Sequence, residues 1–182
     1  MLTALPTTHR PGTTPECEVD GHPVSGASSD TQSCASDAGD VVETRLWLQE
    51  HDWLYALLRS SENVAPTFRM PDLLSACVAL VFDGHDAAGR IYDFMATALV
   101  LRPSTTARRR ESLWRPQFEL LHALQCSAMN RHPHPKFQLD QLTTACVALC
   151  QQDDATGASV LQQSRRNMVE RHRAALDRRR SP

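Results

Sequence analysis

Residues 68–81 read FRMPDLLSACVALV and residues 137–150 read FQLDQLTTACVALC, so one stretch occurs twice, 69 positions apart. Seven of the fourteen positions are identical, and most of the others are mild changes such as Ser75 to Thr144. An internal repeat constrains the architecture of the whole chain, because each copy is expected to fold into the same unit. The sequence therefore predicts one structural unit that is used twice.

The repeat continues upstream of this stretch, where the separation is 67 positions. Trp47 matches Trp114, and Asn63 matches Asn130. The change from 67 to 69 requires a two-residue insertion within residues 131–136, which predicts a loop, because loops accept insertions readily. Two copies of roughly 60 residues favour a pseudo-dimer folded from one chain, since a solenoid needs three or more repeats.

The repeated stretch is predicted to be a core helix. Residues 71–82 are apolar on nearly every side, which is typical of a buried helix. Pro71 suits the first turn, and Asp72 beside it favours the positive end of the helix dipole. Upstream, residues 43–48 alternate as a short strand does, and residues 50–60 carry apolar side chains at helical spacing.

The second copy predicts the same elements in the same order. They are a strand at 111–115, which Pro116 ends, a helix at 117–130 and a core helix at 140–150. A helix at about 86–100 follows the first copy, and a helix from about 157 follows the second. The predicted organisation is a disordered acidic segment at 1–40, a first unit plus an extra helix at 41–103, a second unit at 104–164, and a basic C-terminal helix or tail at 165–182.

Residues 1–40 differ in composition from the rest of the chain. They are rich in Thr, Ser, Pro, Gly and Asp, and they contain six acidic residues and one arginine. Such a segment cannot bury enough apolar surface to offset the entropy of ordering it, which predicts disorder. Residues 41–182 hold 15 acidic and 18 basic residues, a net charge of +3 that the whole-chain value of −2 conceals.

Arginine accounts for all but one of the 19 basic residues, the exception being Lys136. The planar guanidinium suits bidentate contacts to phosphate, so this bias is compatible with nucleic-acid binding. A GC-rich genome produces the same bias without any function, and the arginine runs are also open to interpretation as a solvated surface.

No residue pattern indicates catalysis, a cofactor or a metal ion. The sequence contains no glycine-rich phosphate loop and no G-x-S-x-G or H-E-x-x-H motif. His132, His134, Cys146 and Cys150 include zinc-ligand types, but structural zinc sites use closer cysteine pairs, and Cys146 matches Cys77 of the first copy. We expect buried reduced cysteines, no metal, no cofactor, no enzyme activity, no membrane-spanning segment and a cytoplasmic location.

A short strand followed by two helices, present twice within residues 43–152, resembles the ribbon-helix-helix family. The order of elements carries the resemblance, because members share a pattern more than a residue motif. It is similar above all to the tandem form in which one chain supplies both units, as in the accessory protein of T-DNA transfer in agrobacteria. The resemblance implies a mainly α, single-chain pseudo-dimeric fold, in which a two-stranded antiparallel ribbon lies over a shared helical core.

In this family the ribbon enters the DNA major groove, and alternate strand side chains contact base edges. The resemblance implies that Arg45 and Trp47 face outward in the first strand, and Ser112 and Trp114 in the second. Arg45 can bond a guanine in bidentate fashion, whereas Ser112 would make a permissive contact. The two tryptophans are also open to the opposite interpretation, in which both lie in the core.

The family also holds a backbone phosphate at the N-terminus of each core helix. The residues that the resemblance implies are Thr67 and Arg69 in the first copy, and Lys136 and Gln138 in the second. A basic run ahead of the second strand would reach the adjacent backbone: Arg108, Arg109 and Arg110.

These features predict a protein that binds double-stranded DNA in a bacterial cytoplasm, as a transcription regulator or as an accessory factor in plasmid or mobile-element transfer. The alternative is a protein-interaction module on the same fold, without base reading, that binds another regulator or a transfer or secretion component. Trp47, Trp114, Glu111 and the acidic N-terminal segment would then carry the contacts. The sequence leaves open whether the pseudo-dimer associates further.

Overall fold

The structure is a computed structural model, and it describes residues 40–103, 105–131 and 137–180. The segment predicted to be disordered lies outside the described residues, apart from Asp40. His132, His134 and Lys136 also lie outside them.

The described chain is mostly helical with one two-stranded antiparallel sheet, as the sequence predicted. The strands are β1 (Val41–Trp47) and β2 (Arg108–Trp114). The helices are α1 (Leu48–Leu58), α2 (Met70–Asp83), α3 (Ala87–Phe94), α4 (Arg115–Cys126), α5 (Leu139–Asp153) and α6 (Ala158–Arg180). A π-helical segment, Met95–Leu99, extends α3, and a 3-10 turn, Ala128–Arg131, follows α4.

The observed bounds differ most from the predicted ones at the second strand. The prediction that Arg108, Arg109 and Arg110 precede this strand is wrong, because all three pair with β1. Three consecutive arginines show no apolar alternation, so only the pairing reveals them as strand residues. Pro116 does not end the strand but lies in the first turn of α4, where its missing N–H costs no hydrogen bond.

The two strands, which we call the ribbon, pair around a central position that relates the two copies. Thr44 lies opposite Glu111, and these residues are equivalent in the repeat, 67 positions apart. The ribbon therefore has approximate two-fold symmetry about this pair. Its terminal pairs are Trp47 with Arg108 and Trp114 with Val41.

Each strand is held by the core helix of the other copy. The backbone N–H of Trp47 donates to Thr144 Oγ1 in α5 at 3.4 Å, and that of Trp114 donates to Ser75 Oγ in α2 at 3.0 Å. Thr144 and Ser75 are equivalent in the repeat, as are the two tryptophans. The copies thus interlock through equivalent contacts, and each supplies core surface that a unit of about 40 residues cannot bury alone.

The core lies between the ribbon and the helices α2 and α5, and equivalent residues are buried alike. Leu73 and Leu142 are fully buried, as are Cys77 and Cys146. Burial raises the pKa of both thiols well above the usual value, so they stay protonated. Cys150 is buried beside them, and its thiol donates to the carbonyl oxygen of Cys77 at 3.4 Å. The prediction of buried, unpaired cysteines is confirmed at Cys77 and Cys146, and the structure adds Cys150 to them.

An asparagine clamps the loop ahead of each core helix. Asn63 Nδ2 donates to the carbonyl oxygen of Phe68 at 3.3 Å, and its Oδ1 accepts from Phe68 N at 2.7 Å. Asn130 makes the same two bonds with Phe137, at 3.1 and 2.9 Å. Because the clamp fixes both ends of the loop, two extra residues can be inserted between Asn130 and Phe137 without moving the helices.

The helix α6 lies outside the repeat and packs on α2. Val160, Leu161 and Ser164 are buried, and Ser164 Oγ donates to the carbonyl oxygen of Asp72 at 3.3 Å. The predicted boundary between residues 164 and 165 falls within this continuous helix. The basic C-terminal residues therefore extend from a helix that is anchored on the core.

Asp154 caps the start of α6, and Asp154→Ala is expected to lower the free energy of unfolding by about 1 kcal/mol at pH 7. Its Oδ2 accepts from Ser159 N at 2.9 Å, and its Oδ1 accepts from Thr156 N at 3.0 Å. These bonds hold the pKa of the carboxyl well below its usual value. Since the folded pKa is the lower one, the contribution is present at pH 7 and is lost as the pH falls below about 4 towards the folded pKa.

Urea unfolding of the wild type and of Asp154→Ala over a pH series checks this. Their difference should shrink only below about pH 4. The comparison of Asp154→Asn with Asp154→Ala is the control, because neither side chain titrates and their difference should stay constant. A wild-type advantage that grows as the pH falls would contradict the assignment.

Candidate nucleic-acid interface

One face of the ribbon points away from the helices. Directly opposed residues of an antiparallel pair lie on the same face, and here Arg45 is opposite Arg110 and Glu43 is opposite Ser112. Arg45, Glu43 and Arg110 are exposed, and Ser112 is partly exposed. We call these four residues the outer face. Arg45 and Ser112 lie where the sequence placed them, and the structure adds Arg110 and Glu43.

Arg45 and Arg110 are like charges in direct opposition. Side chains at such positions have Cβ atoms about 5 Å apart, and like charges there destabilise a sheet. Glu43 offsets the repulsion only in part, because its Oε1 lies 3.6 Å from Arg110 Nε and both side chains are well exposed. Arg45 makes no hydrogen bond or ion pair with another described residue. Its guanidinium is therefore available to acceptor groups of a ligand.

Glu111 lies on the inner face of the ribbon, beside α1. Its Oε1 is 3.1 Å from His51 Nε2, and its side chain is 18% exposed. Burial raises the pKa of Glu111, and His51 opposes that rise in part. The negative charge of Glu111 is therefore turned away from the outer face and does not repel an anionic ligand there.

Trp47 and Trp114, which were predicted to contact bases, are covered by other side chains. Each is 3% exposed, as in the opposite interpretation, although the strand register places both at the ends of the outer face. Arginine side chains cover the rings. The guanidinium carbons of Arg102 and Arg108 lie 5.4 and 5.5 Å from the Trp47 ring centroid, and that of Arg171 lies 4.1 Å from the Trp114 ring centroid. These are cation–π contacts, and they shield the indoles from a ligand.

Asp72 joins the Trp114 end of the ribbon to α2 and α6. Its side chain is 3% exposed, and its Oδ1 accepts from Trp114 Nε1 at 2.9 Å and from Arg171 Nη2 at 2.6 Å. Its Oδ2 accepts from the backbone N–H of Arg69 at 3.0 Å. One buried carboxylate therefore fixes three elements at this end.

The Trp47 end has a different arrangement. Gln141 is the repeat equivalent of Asp72, but its Oε1 accepts from Gln138 N at 2.8 Å and does not reach the indole. Trp47 Nε1 is buried without a hydrogen-bond partner among the described residues. Arg108, which was predicted to contact phosphate, is paired with Asp140. The two ends are thus equivalent in backbone and different in side-chain chemistry.

A cleft of about 500 Å³ opens beside the Trp114 end, between the start of α2 and the C-terminal half of α6. Thr67 and Arg69, both predicted phosphate contacts, line it from the side of α2. His172, Arg178 and Arg179 line it from α6. The cleft therefore brings predicted phosphate contacts together with basic residues that are about 100 positions away in the sequence.

The cleft carries more positive than negative charge. Asp72 is already bonded to Arg171, and Asp40 Oδ2 lies 3.6 Å from Arg178 Nη2 in a largely exposed pair. Exposed pairs of this kind contribute little and are readily exchanged. The arginines that line the cleft against these two aspartates are Arg69, Arg171, Arg178 and Arg179. Such a cleft suits an anionic group such as phosphate.

The other predicted phosphate contacts are spread along the molecule. Arg109 is exposed at the start of β2, opposite Leu46. Gln138 precedes α5 as its N-cap residue. Lys136 lies outside the described residues. The structure thus groups Thr67 and Arg69 in one cleft, and Gln138 is not among the described residues that line it.

Sequence reasoning predicted a helix from about residue 157 that ends in basic residues, but it missed the contribution of this helix, α6, to the candidate interface. A signal was present, because Val160, Ser164, Met168 and Arg171 recur at helical spacing and lie on one face. The first two are buried, Met168 packs against the core, and Arg171 continues that face onto Trp114. A basic residue that continues the buried face of a helix indicates that this part of the helix also packs against the protein.

Within the described ranges, no three His, Cys, Asp or Glu side chains are grouped so that they could hold a metal ion. None of the helices in those ranges combines the length and apolar character needed to cross a bilayer. The chemistry that the described interface offers is hydrogen bonding and charge attraction to an anionic ligand.

Comparisons with family models, with curated proteins and with solved structures found no match to this chain. Its function therefore has to be inferred from its own residues.

Proposed function

We propose that this chain binds double-stranded DNA, as a single-chain pseudo-dimeric ribbon-helix-helix domain whose outer face enters the major groove. It would serve as a transcription regulator or as an accessory factor in plasmid or mobile-element transfer. The observation that carries the proposal is the exposed pair of Arg45 directly opposite Arg110. Two opposed arginines destabilise a bare ribbon, and they become favourable when acceptor groups of DNA lie between them.

The exchange of contacts between the copies supports the pseudo-dimeric part of the proposal. Trp47 N bonds to Thr144 of the second copy, and Trp114 N bonds to Ser75 of the first. In a ribbon-helix-helix dimer, the strands of two units likewise pair and their helices share one core. The contacts of Trp47 and Trp114 with the core helix of the other copy are what such an arrangement within one chain would produce.

The exposed arginines of the outer face supply donor groups of the kind that bind base edges in the major groove. The groove is about 12 Å wide and admits a two-stranded ribbon. A guanidinium can donate two hydrogen bonds to the O6 and N7 atoms of guanine, a contact that contributes about 1–3 kcal/mol of base discrimination. Arg45 and Arg110 are about 5 Å apart at their backbones, and successive base pairs are about 3.4 Å apart. The two arginines can therefore address neighbouring base pairs.

Phosphate contacts would come from the flanks of the ribbon. Arg69 and Arg179 line the cleft at the Trp114 end, and Arg109 is exposed near the other end. Contacts of this type position a protein on DNA without reading its sequence, and they make the affinity fall steeply with salt.

Arg45→Ala is expected to weaken binding to duplex DNA about tenfold, because it removes one bidentate donor from the centre of the outer face. Arg45→Lys should give an intermediate loss, since it retains the charge but not the planar pair of donors. Fluorescence anisotropy of the full chain with a labelled random-sequence duplex, at low and moderate salt, measures both.

The matched control is Arg59→Ala, which removes the same charge from the exposed end of α1, about 16 Å of helix away from the ribbon. It should change the affinity less than about twofold. An absence of binding at low salt would overturn the DNA proposal. Salt-sensitive binding that Arg45→Ala leaves unchanged would show that the basic flanks hold the DNA without the outer face.

The alternative is a protein-interaction module on the same fold. Because Trp47 and Trp114 are buried, two of the residues expected to contact a protein partner are not accessible to it. An apolar pair after α3 favours it instead, because Val100 and Leu101 are 65% and 81% exposed. Partner binding through this pair would survive high salt and be lost in Leu101→Ser. DNA binding would be lost at high salt and retained in Leu101→Ser.

A further inference from the structure

The two halves of the outer face carry different charges although they come from equivalent positions of the repeat. On one side of the central Thr44–Glu111 pair, Arg45 lies opposite Arg110; we call this the arginine half. On the other side, Glu43 lies opposite Ser112; we call this the mixed half. Arg45 is the repeat equivalent of Ser112, and Glu43 is the equivalent of Arg110. The backbone is thus two-fold symmetric, and the reading surface is not.

The structures that flank the two halves also differ. The mixed half ends at Trp114, beside the cleft that His172, Arg178 and Arg179 of α6 line. The arginine half ends at Trp47, where Arg108 is paired with Asp140 of α5. The helix α6 packs on α2 and continues to Arg180, whereas α3 and its π-helical extension, which follow the first core helix, pack on α5 and end at Leu99. The exposed arginines of the outer face therefore lie on the arginine half, whereas the basic residues of α6 lie beside the mixed half.

We propose that the chain binds duplex DNA in one orientation only, on a non-palindromic site. This proposal rests on the proposed function. The arginine half reads guanine in one half-site, through Arg45 and Arg110. The mixed half cannot read guanine in the same way, because Glu43 repels its acceptor atoms and Ser112 offers one short hydroxyl. The cleft at that end holds the phosphate backbone in place of base contacts.

Selection from a duplex library with a randomised central segment, by the full chain at moderate salt, tests this. The enriched motif should contain guanine in one half-site and tolerate any base at the mirror positions. The double variant Glu43→Arg with Ser112→Arg gives both halves two arginines. It should enrich an inverted repeat with guanine in both half-sites, and it should bind a palindrome of the guanine half-site about tenfold more tightly than the wild type does.

The matched control is Ser61→Arg with Glu62→Arg, which makes the same charge change on the exposed turn after α1 and should leave the wild-type motif unchanged. Circular dichroism melting establishes that each variant is folded. A palindromic wild-type motif would overturn the inference and leave the proposed function standing. An unchanged motif in the symmetric variant would also overturn it, because the outer face would then not be the reading surface. The absence of any enrichment or binding would overturn the proposed function itself.

Discussion

Asp72→Ala is expected to lower the free energy of unfolding by about 3 kcal/mol, because it leaves buried donors without an acceptor. The carboxylate is 3% exposed and accepts from Trp114 Nε1, from Arg171 Nη2 and from Arg69 N. Arg171 is 27% exposed, so water recovers part of its loss. The indole N–H of Trp114 cannot bond to water instead, because Trp114 is only 3% exposed. Urea unfolding, followed by circular dichroism, measures the change.

Asp140→Ala is the matched control for Asp72→Ala. Asp140 is also in the first turn of a core helix and also pairs with an arginine, Arg108. That pair is more exposed and binds no indole, so its loss should cost about 1 kcal/mol or less. Equal losses for the two variants would contradict the role assigned to Asp72. In a double-mutant cycle, Asp72→Ala should lower the free energy of unfolding less in the Trp114→Phe background than in the wild type. The indole N–H that Asp72→Ala would leave without an acceptor is already absent in that background.

The order of strands and helices was predictable from the sequence because the same pattern of residues occurs in both copies of the repeat. Leu73 and Leu142 are identical in the two copies and equally buried, and Asn63 and Asn130 make the same loop clamp. A residue that recurs at a fixed spacing, within two copies of one unit, is under the same physical constraint twice. The repeat therefore located both core helices, and the part of each strand that the two copies share, without any knowledge of their contacts.

The candidate site was less predictable, because its chemistry depends on partners that are distant in the sequence. Trp47 looks outward when its strand is considered alone, but Arg102 and Arg108 cover its ring. Arg110 looks like part of a basic run, and only its pairing with Arg45 places it on the outer face. Local periodicity predicts on which face of its own helix or strand a side chain lies. It does not predict whether side chains of another element cover that face.

Gly157→Ala is expected to lower the free energy of unfolding by about 2–4 kcal/mol, through backbone strain and a steric clash together. Gly157 has φ of +72°, in the left-handed region that side chains other than glycine adopt at a cost. A Cβ atom there would lie 2.4 Å from Leu57 Cδ1 and 2.5 Å from Cδ2. Leu57 is 7% exposed and packed in the core, so it cannot turn aside without leaving a void.

Two further variants separate the strain from the clash. Gly157→Asn keeps the Cβ but tolerates positive φ, so it should recover part of the loss. Leu57→Ala removes the clashing methyls, so the double variant with Gly157→Ala should be more stable than the sum of the single losses predicts, by about 1 kcal/mol or more. Strict additivity would contradict the clash. Because Gly157 sets the start of α6, a shift there should also displace Arg178 and Arg179 from the cleft, and Gly157→Ala should weaken DNA binding even under conditions where the variant remains folded.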